Sequence, residues 1–333
     1  MMLNSGPFAA SQPDDVLTLE SPPMFVLVSF DATPRGGEPV EDYRFTAMFN
    51  RIRQAAPPEH VGKKPSFTLF LNTGLLQLRK TWEPPPKSCW EGKKDWKRLL
   101  KNPALPKGRV IGHAWSPDAI QEAVAALKHM HSIGIELGSH GVQHFGGRGW
   151  SRAQWEAEFQ EHARILALHG LPKPVGYRAP FLETSKPGFA SEKDPLFQVM
   201  QAHGMRYDSS KAGRLKPRWP VRIGETDIWE LELPMYDHPQ KGPTVLFGKA
   251  RTNKWHIKHA LKQQFDLRYN TNRAPLVLGS HGEFAEQIET FLAEVCYLPG
   301  VRCATYKEFV HFMDRHPELE GAETWPPVQL AQE

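Results

Sequence analysis

Apolar positions along this chain recur in short runs that alternate with longer amphipathic stretches. Met24 to Phe30 is an unbroken β-branched and aromatic run, which predicts a buried strand. Asp42 to Ala55 then sets Phe45, Met48, Phe49 and Ile52 at helical spacing, and Ser66 to Asn72 predicts a second strand. Pro117 to His131 predicts a helix, with Ser116 as its N-cap and proline in its first position. Ile133 to Leu137 follows as a strand, and Ser151 to His169 as a helix stopped by Gly170 and Pro172. Strand signals at Val175 to Tyr177, Ile228 to Leu233, Leu276 to Gly279 and Val301 to Ala304 complete one half of the series. Helical signals at Pro195 to His203, Lys254 to Tyr269, Phe284 to Tyr297 and Tyr306 to Phe312 complete the other. Such alternation predicts an α/β fold on a parallel sheet. A chain of 333 residues with no internal repeat suits one barrel domain.

One stretch breaks the alternation. Residues 79–109 carry ten Lys or Arg against three Asp or Glu, with Trp82, Trp90, Trp96 and several prolines. That composition predicts a surface insertion, spanning about 79–115. Elsewhere composition narrows little. A net charge of +4 is too small to point to nucleic acid, and no apolar run is long enough to predict a membrane span. Cys296 and Cys303 flank a loop, Tyr297 to Gly300, able to bring them together. A disulfide and two reduced thiols are both open readings, with Cys89 left unpaired. Residues 1–23 read as a lead, either the tail of an export signal or an ordinary disordered start, and 315–333 as a tail. Oligomeric state is not legible.

Candidate chemistry collects at strand ends. Asp31 follows the first strand, His140 the third, Arg178 the fourth, and His281 the run Leu276 to Ser280. In a parallel barrel these ends open on one face, where active sites are built. His140 and His144, four apart, face the same way if they share a helical turn, so both imidazoles can reach one metal ion. With 15 histidines in the chain such a pair is close to what chance supplies, and its weight comes from the company it keeps.

Ser29-Phe30-Asp31-Ala32-Thr33-Pro34, Ser139 to His144, Tyr177-Arg178-Ala179-Pro180-Phe181 and Leu278 to His281 resemble, in order, the motifs of polysaccharide deacetylases with a NodB-homology domain, carbohydrate esterase family 4. The resemblance covers about residues 24–314 and implies a distorted (β/α)7-type barrel. It also implies a divalent metal, with zinc favoured, held by His140 and His144. Asp31 would be the general base, Arg178 the cation that keeps it ionised, and His281 the acid protonating the departing amine. Tyr177, Pro180, Phe181 and Leu278 would contact substrate, with the Phe181 N–H on the oxyanion and Leu278 walling the acetyl pocket. An Asp–Trp pair orients the catalytic histidine in that family; Asp237 and Trp229 are the candidates here.

Ala32 departs from the pattern, because the family's second Asp, a metal ligand, stands there. Asp31 then becomes a ligand itself, or the ion is held by two histidines and water, or the protein binds glycan without cutting it. The chain is also similar to a divergent branch from predatory bacteria, whose first motif reads Phe-Asp-Gly and which acts on wall peptidoglycan. The expected activity is therefore N-deacetylation of N-acetylglucosamine or N-acetylmuramic acid units in a polymer, peptidoglycan or chitin-like, by an exported enzyme. A catalytically inactive glycan-binding protein is the alternative, and metal-free hydrolysis of a small cyclic amide, as in allantoinase-type relatives, a third.

Overall fold

A computed structural model describes residues 22–34, 36, 43–58, 65–78, 114, 116–186, 191–238, 242–245, 247–248, 254–281 and 284–324. Along β1 (Met24–Asp31) the side chains alternate between two faces, with the period of two that the pleat imposes. Met24, Val26, Val28 and Phe30 join the core beneath the helices, while Phe25 and Leu27 join the core inside the curl of the sheet. Ser29 and Asp31 continue the inward set. The alternation that buries the strand thus delivers a carboxylate to the inner rim, and a one-residue slip would turn it toward the helices.

β1 pairs in parallel with β11 (Leu276–Ser280), β12 (Val301–Cys303) and β2 (Thr68–Leu71). The sheet runs β10 (Phe247–Gly248), β11, β1, β2, β3 (Glu136–Ser139), β4 (Gly176–Tyr177), β5 (Tyr207–Asp208), β7 (Trp229–Glu230), β6 (Val221–Arg222). Only β6 and β7 pair antiparallel within it. Among the described residues no ladder joins β6 to β10, so the sheet curls without closing. The fold is an α/β distorted barrel. A separate antiparallel hairpin, β8 (Met235–His238) with β9 (Gly242–Val245), lies outside the alternating pattern and has no counterpart in the sequence reading.

Helices α1 (Arg44–Gln54), α2 (Pro117–Ser132), α3 (Arg152–Leu168), α4 (Pro195–Ala202), α5 (Lys254–Tyr269), α6 (Ala285–Val295) and α7 (Tyr306–Arg315) link the strands. Their starts are set locally. Ser116 Oγ accepts from Ala119 N at 3.1 Å ahead of Pro117, and Ser151 with Gln154 forms a reciprocal capping box, as Thr305 does with Glu308. The strand expected over Ile228 to Leu233 narrows to Trp229–Glu230, matching the two-residue length of β4 and β5 beside it.

Cys296 and Cys303 form a disulfide that ties the end of α6 to β12. The insertion leaves at Leu78 and returns at Ala114, which meet in a parallel bridge. Residues 79–113, with Cys89 and the three tryptophans, lie outside those described, as do residues 1–21. The tail packs against the barrel over its described residues, 315–324. Leu319 is buried, Gly321 N donates to Pro220 O at 3.0 Å, and Trp219 N donates to Ala322 O at 2.9 Å.

Candidate active site

The ends of β1, β3, β4 and β11 carry Asp31, His140, Arg178 and His281 to the open face. Arg178, just past β4, is wholly buried and directs its guanidinium across the barrel mouth. Nη1 donates to Asp31 Oδ1 at 2.8 Å and to Ser29 Oγ at 2.8 Å. Nη2 donates to Ser209 Oγ at 2.9 Å and to Tyr306 OH at 3.1 Å, and Nε to Ser209 O at 3.1 Å. The Phe70 ring lies beneath it, 4.4 Å from Cζ to centroid. Every donor direction of the planar fork is used, so the side chain has one position and Asp31 is fixed by it.

The Asp31 side chain is 4 % exposed. Burial alone would push its carboxyl up. Arg178 foremost, with His140 and His281, more than offsets that and holds it below the usual carboxylate range.

His140 is also buried, and its Nδ1 lies 2.8 Å from the carbonyl oxygen of Arg178. A carbonyl only accepts, so Nδ1 carries the proton and Nε2 presents a lone pair. That Nε2 has no hydrogen-bond partner and sits 3.7 Å from Asp31 Oδ2. Burial holds the imidazole below its ordinary value. The ring of His144 stands edge-on to His140, 4.8 Å between centroids, and burial pushes it down to about 3.

The two histidines do not share a helical turn. Gly141 has φ +77 and His144 φ +58, so residues 140–144 form a tight irregular loop, and it is this reversal that brings the rings together. Asn72 Nδ2 holds the His140 carbonyl at 2.6 Å, and Gly74 N donates to Val142 O at 2.8 Å.

A neutral imidazole, a carboxylate and a second neutral imidazole thus face one another with an orphaned acceptor between them. Two ligand atoms of a tetrahedral ion with bonds of about 2.0–2.1 Å lie roughly 3.4 Å apart, close to the His140–Asp31 separation. The spacing leaves room for a divalent cation at the His140 lone pair, with the His144 ring adjacent and Asp31 facing it. Ala32 adds no ligand, and among the described residues no group of three His, Cys, Asp or Glu side chains makes a complete metal-binding set.

His281 is exposed at the end of β11. It lines a cleft of about 320 Å³ with Ala32, Thr33, Tyr43, Arg44 and Glu122. Phe181 is 60 % exposed, with φ +58 and its ring edge-on to His144 at 4.7 Å. Pro180 is buried behind it.

Two expected contact residues lie elsewhere. Leu278 points to the helix side of β11, in register with Val28, and is 2 % exposed in that core, so it cannot wall an acetyl pocket. Tyr177 is buried against Trp155 and Phe159. Both sit one residue out of phase with the inward-facing set. Trp229 donates to Asp314 Oδ1 at 3.0 Å on α7 rather than to a residue of the mouth, and the Asp237 side chain lies outside those described.

Ser209, Tyr306 and Glu158 escaped the sequence reading. Ser209 and Tyr306 lie outside the four motifs that carry the resemblance. Glu158 carried a readable signal, since Trp155, Phe159, His162, Ile165 and Leu166 define the buried face of α3 and Glu158 falls on it.

Residues 110–207, which include His140, His144 and Arg178, match the family model described as polysaccharide deacetylase. No curated protein matches the chain. Among solved structures the chain is similar to a candidate polysaccharide deacetylase from Mycobacterium smegmatis, with 14 % identity, a TM-score of 0.52, and 95 % of this chain and 97 % of that one covered. A family 4 carbohydrate esterase from Streptomyces lividans, solved with acetate, aligns at 13 % identity and TM-score 0.43 over 84 % and 90 %. Puue allantoinase aligns at 14 % and 0.46 over 92 % and 99 %. At such identities likeness speaks to fold alone, and only the first is close enough to support it. The chain therefore shares the distorted barrel of the mycobacterial protein, and its residues 110–207 carry the polysaccharide deacetylase pattern.

Proposed function

We propose that this protein is a metal-dependent N-deacetylase acting on N-acetylglucosamine or N-acetylmuramic acid units of a polysaccharide, with bacterial peptidoglycan as the leading substrate and export to the cell wall as its corollary. The observation that carries this reading is the double grip of Arg178, whose side chain holds Asp31 while its carbonyl sets the tautomer of His140. A glycan-binding surface has no need of a buried carboxylate kept ionised beside an imidazole lone pair.

A divalent ion, with zinc favoured, would be held by His140 and His144 beside Asp31, and would supply Lewis-acid polarisation of the acetamide carbonyl and acidification of water. Asp31 takes the proton of the attacking water, and Arg178 keeps the carboxylate charged and aimed. The Phe181 N–H steadies the oxyanion, and its exposed ring is the platform for the sugar face. His281, at the edge of the cleft, gives its proton to the leaving amine nitrogen, which departs poorly as an anion.

The test is acetate release from peptidoglycan and from chitin oligomers by the zinc-loaded protein, with and without chelator. Chelator-sensitive release that Asp31→Asn abolishes supports the proposal. Ala32 and the missing third ligand favour the alternative, a glycan-binding protein without turnover. Retention of either polymer with no acetate from folded, zinc-loaded protein would establish that reading instead.

A further inference from the structure

Glu158 is a buried carboxylate on α3 that makes no ion pair among the described residues. It is 8 % exposed, and burial pushes its carboxyl up to about 7. Its Oε1 accepts from Val142 N at 2.6 Å, and the Gln143 N–H also stabilises its charge. Both amides belong to the loop between His140 and His144. A Cβ at position 141 would lie 2.7 Å from that same Oε1 and 4.0 Å from Pro180 Cγ. The carboxylate thus occupies the space where a side chain at 141 would stand, and the glycine that leaves room for it also supplies the positive φ the loop turns on.

A buried acid without a cation is costly unless its hydrogen bonds repay it. Here the donors it receives come from the segment carrying the two imidazoles. Asn72 and Thr73 hold the same loop through the carbonyls of His140 and Gly141.

We propose that Glu158 is a positioning residue for the His140–His144 pair. By binding the amides of Val142 and Gln143 across the gap left by Gly141, it sets the loop in the reversal that brings both rings to one point. It touches neither the substrate nor the reacting atoms. This inference rests on the reading of the pair as metal ligands, but its first readout does not.

Glu158→Ala, Glu158→Gln and the parent protein are compared in three measurements. In metal-free protein, the ring signals of His140 and His144 and the amide signals of Val142 and Gln143 are followed by NMR. Glu158→Ala is expected to move all four, while Glu158→Gln, which keeps an acceptor oxygen, returns them most of the way. Zinc affinity, read by competition with a chromophoric chelator, is expected to fall about 10- to 100-fold in Glu158→Ala and to recover in Glu158→Gln. Acetate release from a glycan is expected to lose kcat with KM little changed.

Should Glu158→Ala not fold, Gly141→Ala displaces the same carboxylate and is expected to reproduce the shifts and the loss. Unmoved ring signals in either folded variant overturn the proposal, as does a loss that Glu158→Gln fails to recover. If the parent protein neither binds zinc nor releases acetate, the deacetylase reading fails alone, and the ring signals still decide whether Glu158 positions the pair.

Discussion

The main-chain carbonyl of Arg178 accepts a hydrogen bond from Nδ1 of His140 at 2.8 Å, which turns the Nε2 lone pair of that ring toward Asp31. The same residue clamps Asp31 through Nη1. A single position on β4's exit therefore fixes the proton state of one partner and the charge of the other. This explains why the arginine is buried among Ser29, Ser209 and Tyr306, when one carboxylate alone would need only two of its donors.

Removing that side chain leaves a buried carboxylate with no cation at hydrogen-bond distance. Arg178→Ala is expected to cost about 3–5 kcal/mol of folding stability, as for other broken buried pairs. Arg178→Lys keeps the charge but cannot span Ser29, Asp31, Ser209 and Tyr306 together, so its loss is smaller but still marked. Urea unfolding of the three proteins checks this. Equal midpoints for Arg178→Ala and the parent would mean that the network contributes nothing to the fold.

Asp31→Asn keeps the shape of the side chain and removes its basicity. If Asp31 takes the proton of the attacking water, kcat for acetate release falls by about 10²–10⁴ with KM little changed. Because the substitution also leaves Arg178 without its carboxylate, the folded fraction is measured alongside. A loss of activity no larger than the loss of folded protein would remove Asp31 from the chemistry.

Ala32→Asp tests the shortage of ligands. The position follows β1 at the edge of the cleft beside His281. A second carboxylate there repels Asp31 in metal-free protein, so the melting temperature without zinc falls. Zinc relieves that repulsion, so the rise in melting temperature on adding zinc grows relative to the parent. A zinc response identical to the parent's would show that a side chain at 32 does not reach the ion.

The architecture and the strand-end residues were legible because both follow from short-range patterns. A run of β-branched residues followed by one polar residue marks a strand and its exit, and Asp31, His140, Arg178 and His281 were found that way. What the runs could not give was phase. Leu278 and Tyr177 sit beside motif residues in sequence, yet the pleat turns both to the helix side, and only register against β1 and β3 reveals it. The rings of His140 and His144 meet through a loop reversal rather than a helical turn, because the positive φ of Gly141 and His144 is a tertiary outcome of the loop's anchors. The long-range partners of Arg178 come from residues 29, 209 and 306, separations no local pattern carries.

Acid sensitivity should come from buried imidazoles, and His162 separates this effect from the site itself. It sits on α3, 3 % exposed, with Nε2 3.4 Å from Leu71 O, and burial pushes it down to about 4 from an ordinary 6.5. Between those values the unfolded chain holds a proton that the native protein does not. Its contribution is therefore fully present above pH 6.5 and is lost as pH falls through 4, a change of about 3 kcal/mol if the whole shift is expressed. Glu158 acts in the opposite sense. Its folded value of about 7 lies above the ordinary 4.5, so its contribution is present below pH 4.5 and is lost as pH rises through 7. The two slopes partly cancel in the parent protein between pH 4.5 and 6.5. His162→Phe is expected to flatten the fall in stability from pH 6.5 to 4, and Glu158→Gln to steepen it. Urea unfolding at half-unit intervals of pH reads both, and parallel curves for parent and His162→Phe would mean that His162 titrates alike in the folded and unfolded chain.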